Sequence, residues 1–210
     1  RFLYSQDLNI NNSNIRYSVS NFEKINTIYS DFGATLFGDL ILFSSTKKSS
    51  RFVKIVSKEN NQPFLNIYKI GNKIESLLFS KEISTKYHES SLAFSPDKRT
   101  MYFTRNNIDK GTIRIYKAEY ISNKWSNIKE IPFNSNNYST AHPSVSKDGK
   151  RLYFTSDMSG GFGGTDIYYV TINGKDNYGN PVNLGPKINS DMKESFPFIS
   201  DDNTLYFSSN

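Results

Sequence analysis

Asp31, Glu89 and Glu194 are the residues best placed by sequence to do acid and base chemistry. Glu89, Thr140 and Glu194 each stand six residues before the serine of a recurring turn, and Asp31 opens the matching segment of an earlier unit. If such positions begin the innermost strands of a radial array, the three carboxylates come near one mouth of a central channel. Two carboxyl groups about 5 to 9.5 Å apart can cleave a glycosidic bond. Repetition has a simpler use as well, in which each carboxylate bonds backbone or a hydroxyl at the start of its own strand and joins one repeat to the next. No residue is therefore assigned a catalytic role.

A second constellation is the stretch from Ser156 to Asp166, where Asp157 and Asp166 flank Gly160, Gly161, Gly163 and Gly164. Glycines let a backbone curl until carbonyls and carboxylates converge on a hard cation such as calcium. Two acidic ligands are few, and the spacing is not that of an EF-hand. The expectation is a structural loop in which Gly161 and Gly164 set the backbone shape, with Asp157 and Asp166 as weak metal candidates. No helix follows the glycines, so the anion-holding helix N-terminus is missing. His88 and His142 are not equivalent in the repeats, since His142 aligns with Ser91. No serine sits in Gly-x-Ser-x-Gly, and the absence of cysteine excludes disulfides and thiolate metal sites. No cofactor is expected.

The elements that must position these residues are read from self-similarity. Phe43, Phe103, Phe154 and Phe207 end similar short strands and lie 60, 51 and 53 residues apart. Asn66-Ile67-Tyr68, Arg114-Ile115-Tyr116 and Asp166-Ile167-Tyr168 keep the same period. Turns rich in Ser, Asp and Gly precede the strands that carry Phe103, Phe154 and Phe207, and Phe37-Gly38-Asp39 is an abbreviated copy. Ile25-Asn26-Thr27, Ile83-Ser84-Thr85, Phe133-Asn134-Ser135 and Ile188-Asn189-Ser190 open the units. With 31 aromatic residues (16 Phe, 14 Tyr and 1 Trp) the composition favours pleated surfaces. The chain reads as an all-β propeller of four-stranded antiparallel blades. The expected units are a half blade over 1–24, blades over about 25–82, 83–132 and 133–187, and a half blade over 188–210, with an insertion at roughly 47–62. Phe103, Phe154 and Phe207 are expected at equivalent buried positions.

Charge and hydropathy narrow the partners. There are 26 Lys and Arg against 20 Asp and Glu, a net charge of +6, but the basic residues are scattered among Asn, Ser and Asp. That is a solvated surface, and nucleic acid is not expected as a partner. No run of 18 apolar residues could span a bilayer as a helix. The chain begins at Arg1, which reads as a processed chain or an internal fragment.

Several stretches carry a family resemblance: Tyr87-His88-Glu89-Ser90-Ser91, the run from His142 to Phe154, the loop from Ser156 to Tyr168, and Asn183-Leu184-Gly185-Pro186-Lys187-Ile188-Asn189. Together they resemble the WD-like, PD-type, TolB-related propeller of Bacteroidetes OmpA-family envelope proteins, including the PorE-type component of type IX secretion and gliding. The resemblance covers most of residues 25–210 and is most specific after residue 135. It implies a non-catalytic scaffold, outer-membrane-associated and facing the periplasm, whose partners are other envelope or secretion-system proteins. Peptidoglycan would be bound only through a domain outside these residues. A fragment of a larger propeller, on the six-bladed pattern of TolB relatives, is favoured over a closed ring of four.

Overall fold

The computed structural model describes residues 20–23, 25–47, 63–71, 76–107 and 111–210. Its elements are strands, and no helix occurs among the described residues. The first sheet joins β1 (Asp31–Phe37), β2 (Leu40–Ser45), β3 (Asn66–Ile70) and β4 (Leu77–Leu78) in chain order. The second joins β5 (His88–Phe94), β6 (Thr100–Asn107), β7 (Thr112–Ile121) and β8 (Lys124–Glu130), again in order. The third joins β9 (Thr140–Val145), β10 (Arg151–Ser156), β11 (Asp166–Thr171) and β12 (Val182–Asn183), and a two-stranded sheet of β13 (Glu194–Ile199) and β14 (Leu205–Ser209) follows. Neighbouring strands within each sheet are antiparallel, so the chain is a β-propeller built of four-stranded blades. Residues 1–19 and 24 of the expected first half blade, and 48–62 of the expected insertion, lie outside the described residues.

The hairpin joining the first two strands of a unit is made by side chains that imitate backbone. Thr100 N–H donates to Ser95 Oγ at 2.9 Å and Arg99 N–H to Asp97 Oδ1 at 3.0 Å. The same bonds recur from Arg151 to Ser146 and from Lys150 to Asp148, and Thr204 N–H donates to Asp202. One residue in each turn takes a positive φ: Gly38 (61°), Lys98 (57°), Gly149 (70°) and Asn203 (66°). The abbreviated first turn thus keeps the backbone feature although it lacks the serine.

Two of the repeated markers face each other across strands. Phe43 pairs with Tyr68, Phe103 with Tyr116 and Phe154 with Tyr168, with ring centroids 6.0, 5.8 and 5.9 Å apart. Such aromatic cross-strand pairs stabilise a sheet beyond the area they bury. The core lies between blades: Leu42 and Ile67 meet Leu92, Met101 and Trp125, while Tyr102 and Ile115 meet Leu152, Phe154 and Val170. Phe207 departs from expectation. It holds the register of Phe103 and Phe154, both 0% exposed, yet is itself 36% exposed, because its sheet has no third strand among the described residues.

Candidate functional site

Each recurrent carboxylate lies at the start of an innermost strand and fastens the turn that opens its unit. Thr85 donates to Glu89 from its N–H at 3.2 Å and its Oγ1 at 2.5 Å. Ser190 does the same to Glu194 at 3.0 and 2.6 Å, and Thr27 to Asp31 at 2.6 and 2.7 Å. In the third blade, where the position is Thr140, its hydroxyl donates to Asn134 instead. Glu89 also accepts Arg105 Nε at 2.9 Å, and Arg105 donates onward to the Ile83 carbonyl. Burial pushes the Glu89 carboxyl above its ordinary range, against the pull of Thr85 and Arg105. For Glu194 burial acts in the same direction, but the donors of Ser190 and Ser209 outweigh it and hold the group low. Glu89 and Glu194 are both 0% exposed.

The strand starts are also bonded across blades. Glu89 N–H donates to the Leu65 carbonyl and Glu194 N–H to that of Thr165, each just before the third strand of the preceding unit. Beside them the opener asparagines act as one-residue strands. Asn189 accepts from Ile167 N–H at 2.8 Å and donates to its carbonyl at 3.0 Å, and Asn134 makes the equivalent pair with Ile115.

The glycine-rich loop closes on Asp166. That buried carboxylate accepts the N–H groups of Phe162 and Gly163 and the side-chain amide of Asn183, whereas Asp157 accepts Ser139 N–H at 2.6 Å. The two aspartates serve different partners, and no cluster of three or more His, Cys, Asp or Glu suited to a metal occurs among the described residues. Gly160 alone among the loop glycines takes a positive φ, of 87°. Gly161 and Gly163 are needed for room: a Cβ would stand 2.3 Å from Asp166 Oδ2 in one case and 2.4 Å from the Met192 carbonyl in the other. Gly164 is tight against Lys193. The expectation that backbone twist would decide Gly161 and Gly164 is thus replaced by close approach.

A feature missed in the sequence lies two residues past each fastening position. Every innermost strand carries a bulge there, and the bulged residue has a positive φ: Gly33 (66°), Ser91 (43°), His142 (54°) and Phe196 (52°). The turned backbone lets Ser91 N–H reach Ser44 Oγ and His142 N–H reach Thr104 Oγ1 on the preceding blade. In the last unit the equivalent hydroxyl, Thr155 Oγ1, is buried without a partner. From these bulges to the hairpin turns, residues 33–36, 91–96, 142–145 and 196–199, with Lys98 and Asp201, line a cavity of about 550 Å³ between the four innermost strands. His142 stacks on Phe196 with centroids 3.8 Å apart, and Phe32 meets Phe196 edge-on at 6.2 Å. Burial pulls the His142 imidazole down to about 4. None of Asp31, Glu89, Glu194, Asp157 or Asp166 lines this cavity. Gly33 and the fixed offset from the fasteners were the available signals, although a bulge leaves no mark in residue type at Ser91 or Phe196.

The channel and its four inner strands define the class as a β-propeller, and solved structures share that fold. No protein-family model and no curated protein matches the sequence. Among solved structures the chain is similar to TolB from Acinetobacter baumannii, with 17% identity and a TM-score of 0.53, covering 90% of this chain and 38% of that one. It is similar to a TolB protein from Agrobacterium tumefaciens at 18% identity and TM-score 0.52, over 81% and 50% of the two chains. A gluconolactonase from Xanthomonas campestris matches at 14% identity and TM-score 0.51, over 92% and 58%. These likenesses show the fold, and the chain spans half or less of the length of the two TolB proteins.

Proposed function

We propose that the chain is a non-catalytic propeller scaffold that carries protein–protein contacts in the bacterial cell envelope. The observation behind this reading is the use of the recurrent carboxylates. Glu89 and Glu194 are closed by donors of their own units, and neither faces the cavity where a substrate would lie. Residues that would serve a propeller glycosidase are here holding strand starts together. Rigidity then becomes the working property, because loops on a stiff array present fixed surfaces to partners.

The resemblance to OmpA-family envelope propellers supports the finer assignment. In it, the parent protein faces the periplasm at the outer membrane and takes part in type IX secretion or gliding. This chain supplies part of a larger propeller, and a separate domain engages peptidoglycan. Affinity purification of the parent from envelope membranes tests it, with co-purifying envelope subunits as the expected result. Recovery without partners, together with glycan cleavage abolished by Glu194→Gln, would transfer the assignment to a glycan hydrolase or lyase.

A further inference from the structure

A strand at the edge of a sheet offers unpaired N–H and C=O groups to any other chain, and proteins blunt such edges by keeping them short, charged or bulged. The three complete blades follow that rule. β4 and β12 are two residues each, and β8 carries Lys124, Lys129 and Glu130, with a register shift against β7 and a positive φ of 50° at Asn127. β14 does not follow it. Its five residues, Leu205-Tyr206-Phe207-Ser208-Ser209, include no charge, and it pairs with β13 alone among the described residues. Tyr206 is 57% exposed and Phe207 36%.

The open side of β14 has a defined pattern. Ser200 N–H donates to the Thr204 carbonyl at 3.0 Å, which turns Thr204 toward β13, and alternation then turns the N–H and C=O of Leu205 and Phe207 outward. In the third unit the corresponding residues, Leu152 and Phe154, meet β11: Ile172 N–H donates to the Lys150 carbonyl at 2.8 Å, and the same alternation carries through them. There Ile167 lies opposite Thr155, Tyr168 opposite Phe154 and Val170 opposite Leu152. Ile67-Tyr68 and Ile115-Tyr116 take the same places in the first two units, Tyr68 opposite Phe43 and Tyr116 opposite Phe103. An Ile-Tyr strand is thus the partner of this hairpin wherever its sheet is complete.

The surroundings select the kind of chain that fits. Ile199 N–H donates to Ser144 Oγ at 3.0 Å, which lays the last sheet against the third, and the third reaches two strands farther from the channel. β14 is therefore recessed by about 10 Å, the width of two strands. The edge of a second folded copy is held off by β11 and β12, but a single extended segment fits. We propose that β14 is a strand-addition site, at which an extended segment of a partner protein pairs antiparallel with Leu205–Ser209 and sets an Ile-Tyr step against Ser208 and Phe207. This names the partner class of the scaffold reading and rests on it. In such additions backbone bonds supply the affinity and alternate side chains the selection.

The probe is a capped synthetic peptide with the sequence of residues 165–172, Thr-Asp-Ile-Tyr-Tyr-Val-Thr-Ile, titrated into the chain by calorimetry, with amide hydrogen exchange read at Leu205 and Phe207. Saturable binding is expected, with both amides slowed. Methylating the backbone nitrogen of the peptide's first tyrosine keeps every side chain but removes the N–H that faces Phe207, and should weaken binding roughly tenfold. Phe207→Lys, which charges the edge, should weaken it as much at an unchanged melting temperature. Should that variant unfold, the methylated peptide on the unaltered chain carries the test alone. Absence of binding, equal binding of the methylated peptide, or amides at 205 and 207 already slow in the chain alone or in the parent protein would overturn the proposal. A concentration-dependent dimer that Phe207→Lys dissolves would overturn it too, by giving the edge to a second copy. None of these results bears on co-purification of envelope subunits with the parent, so failure of strand addition and failure of the scaffold reading are told apart.

Discussion

The third unit and the last carry the same local signals, yet they differ in what they bury. Ser146 and Ser200 begin matching turns, Asp148 and Asp202 accept matching backbone donors, and Tyr153 pairs with Ser144 as Tyr206 pairs with Phe198. Phe154 is nevertheless sealed beneath Phe133 and Tyr168, while Phe207 is partly open and Tyr206 is exposed. The hairpin is therefore written in short-range hydrogen bonds, and its register does not depend on cover. Burial depends on the strand alongside and the blade above. Repetition of sequence implies repetition of backbone, but equal energies only where the neighbours are also repeated.

The largest expected effect separates the two units directly. Phe154→Ala should cost about 3 to 5 kcal/mol in denaturant unfolding, whereas Phe207→Ala should cost under about 1.5 kcal/mol because part of its surface is already in water. Equal losses would mean that Phe207 is covered in solution.

A pH titration asks whether the last unit sits on the third. The His142 imidazole is covered by the Phe196 ring, and burial lowers it to about 4 from an ordinary 6.5. Below pH 6.5 the unfolded chain takes up a proton that the folded chain refuses, so stability is complete above that pH and falls as the pH drops toward 4. The loss is at most about 3 kcal/mol. Measured as the difference between the parent chain and His142→Asn, whose side chain tolerates positive φ, this slope should be present with Phe196 and shrink in Phe196→Gly. A slope indifferent to Phe196 would place the burial elsewhere.

Between those units the fastening is side-chain amide to backbone. Asn189→Ala leaves the buried Ile167 N–H without its partner while the Ile167 carbonyl keeps the Leu184 N–H, which should cost about 1 to 2 kcal/mol. Asn26, the equivalent opener residue of the first unit, is exposed and bonds Asn21 instead, so Asn26→Ala should be close to neutral by thermal melting. A neutral Asn189→Ala would show that strand pairing, not the amide, holds the junction.

Much of this was legible in the residues and some was not. Period, strand order and turn positions follow from side chains that recur because the same bonds recur, as at Ser95, Ser146 and Ser200. Glu89 and Glu194 were legible as repeated residues, but their bonds to Thr85 and Ser190 need the turn to be folded before they can be seen. The bulge ring was hidden, since positive φ at Ser91, His142 and Phe196 contradicts the local preference of each residue. Such conflict between local preference and structure is found where a surrounding framework overrides it. The exposure of Phe207 was hidden for the opposite reason: its own strand is regular, and the missing cover belongs to other strands.

The smallest expected effect returns to the turns, where the two units look most alike. Ser146 Oγ accepts Arg151 N–H at 3.0 Å and donates to Asp148 at 2.6 Å, and Ser146 is buried. Ser200 Oγ has both Asp202 and the Thr204 carbonyl (2.9 Å) within reach of its single proton, but it stands half-buried, where water can replace the bond it makes. Ser146→Ala should therefore cost about 1 kcal/mol, and Ser200→Ala only a few tenths of that, in paired thermal or denaturant melts. Gly149 packs against Pro96 of the neighbouring blade's turn, with a Cβ at 149 only 3.1 Å from that ring, so the third unit's turn is clasped from outside as well as within. If the two alanine variants lose the same stability, the turn's own bonds carry the whole effect and the clasp contributes nothing. If Ser146→Ala loses more, the difference measures how far a neighbouring blade strengthens a turn that each unit can form alone.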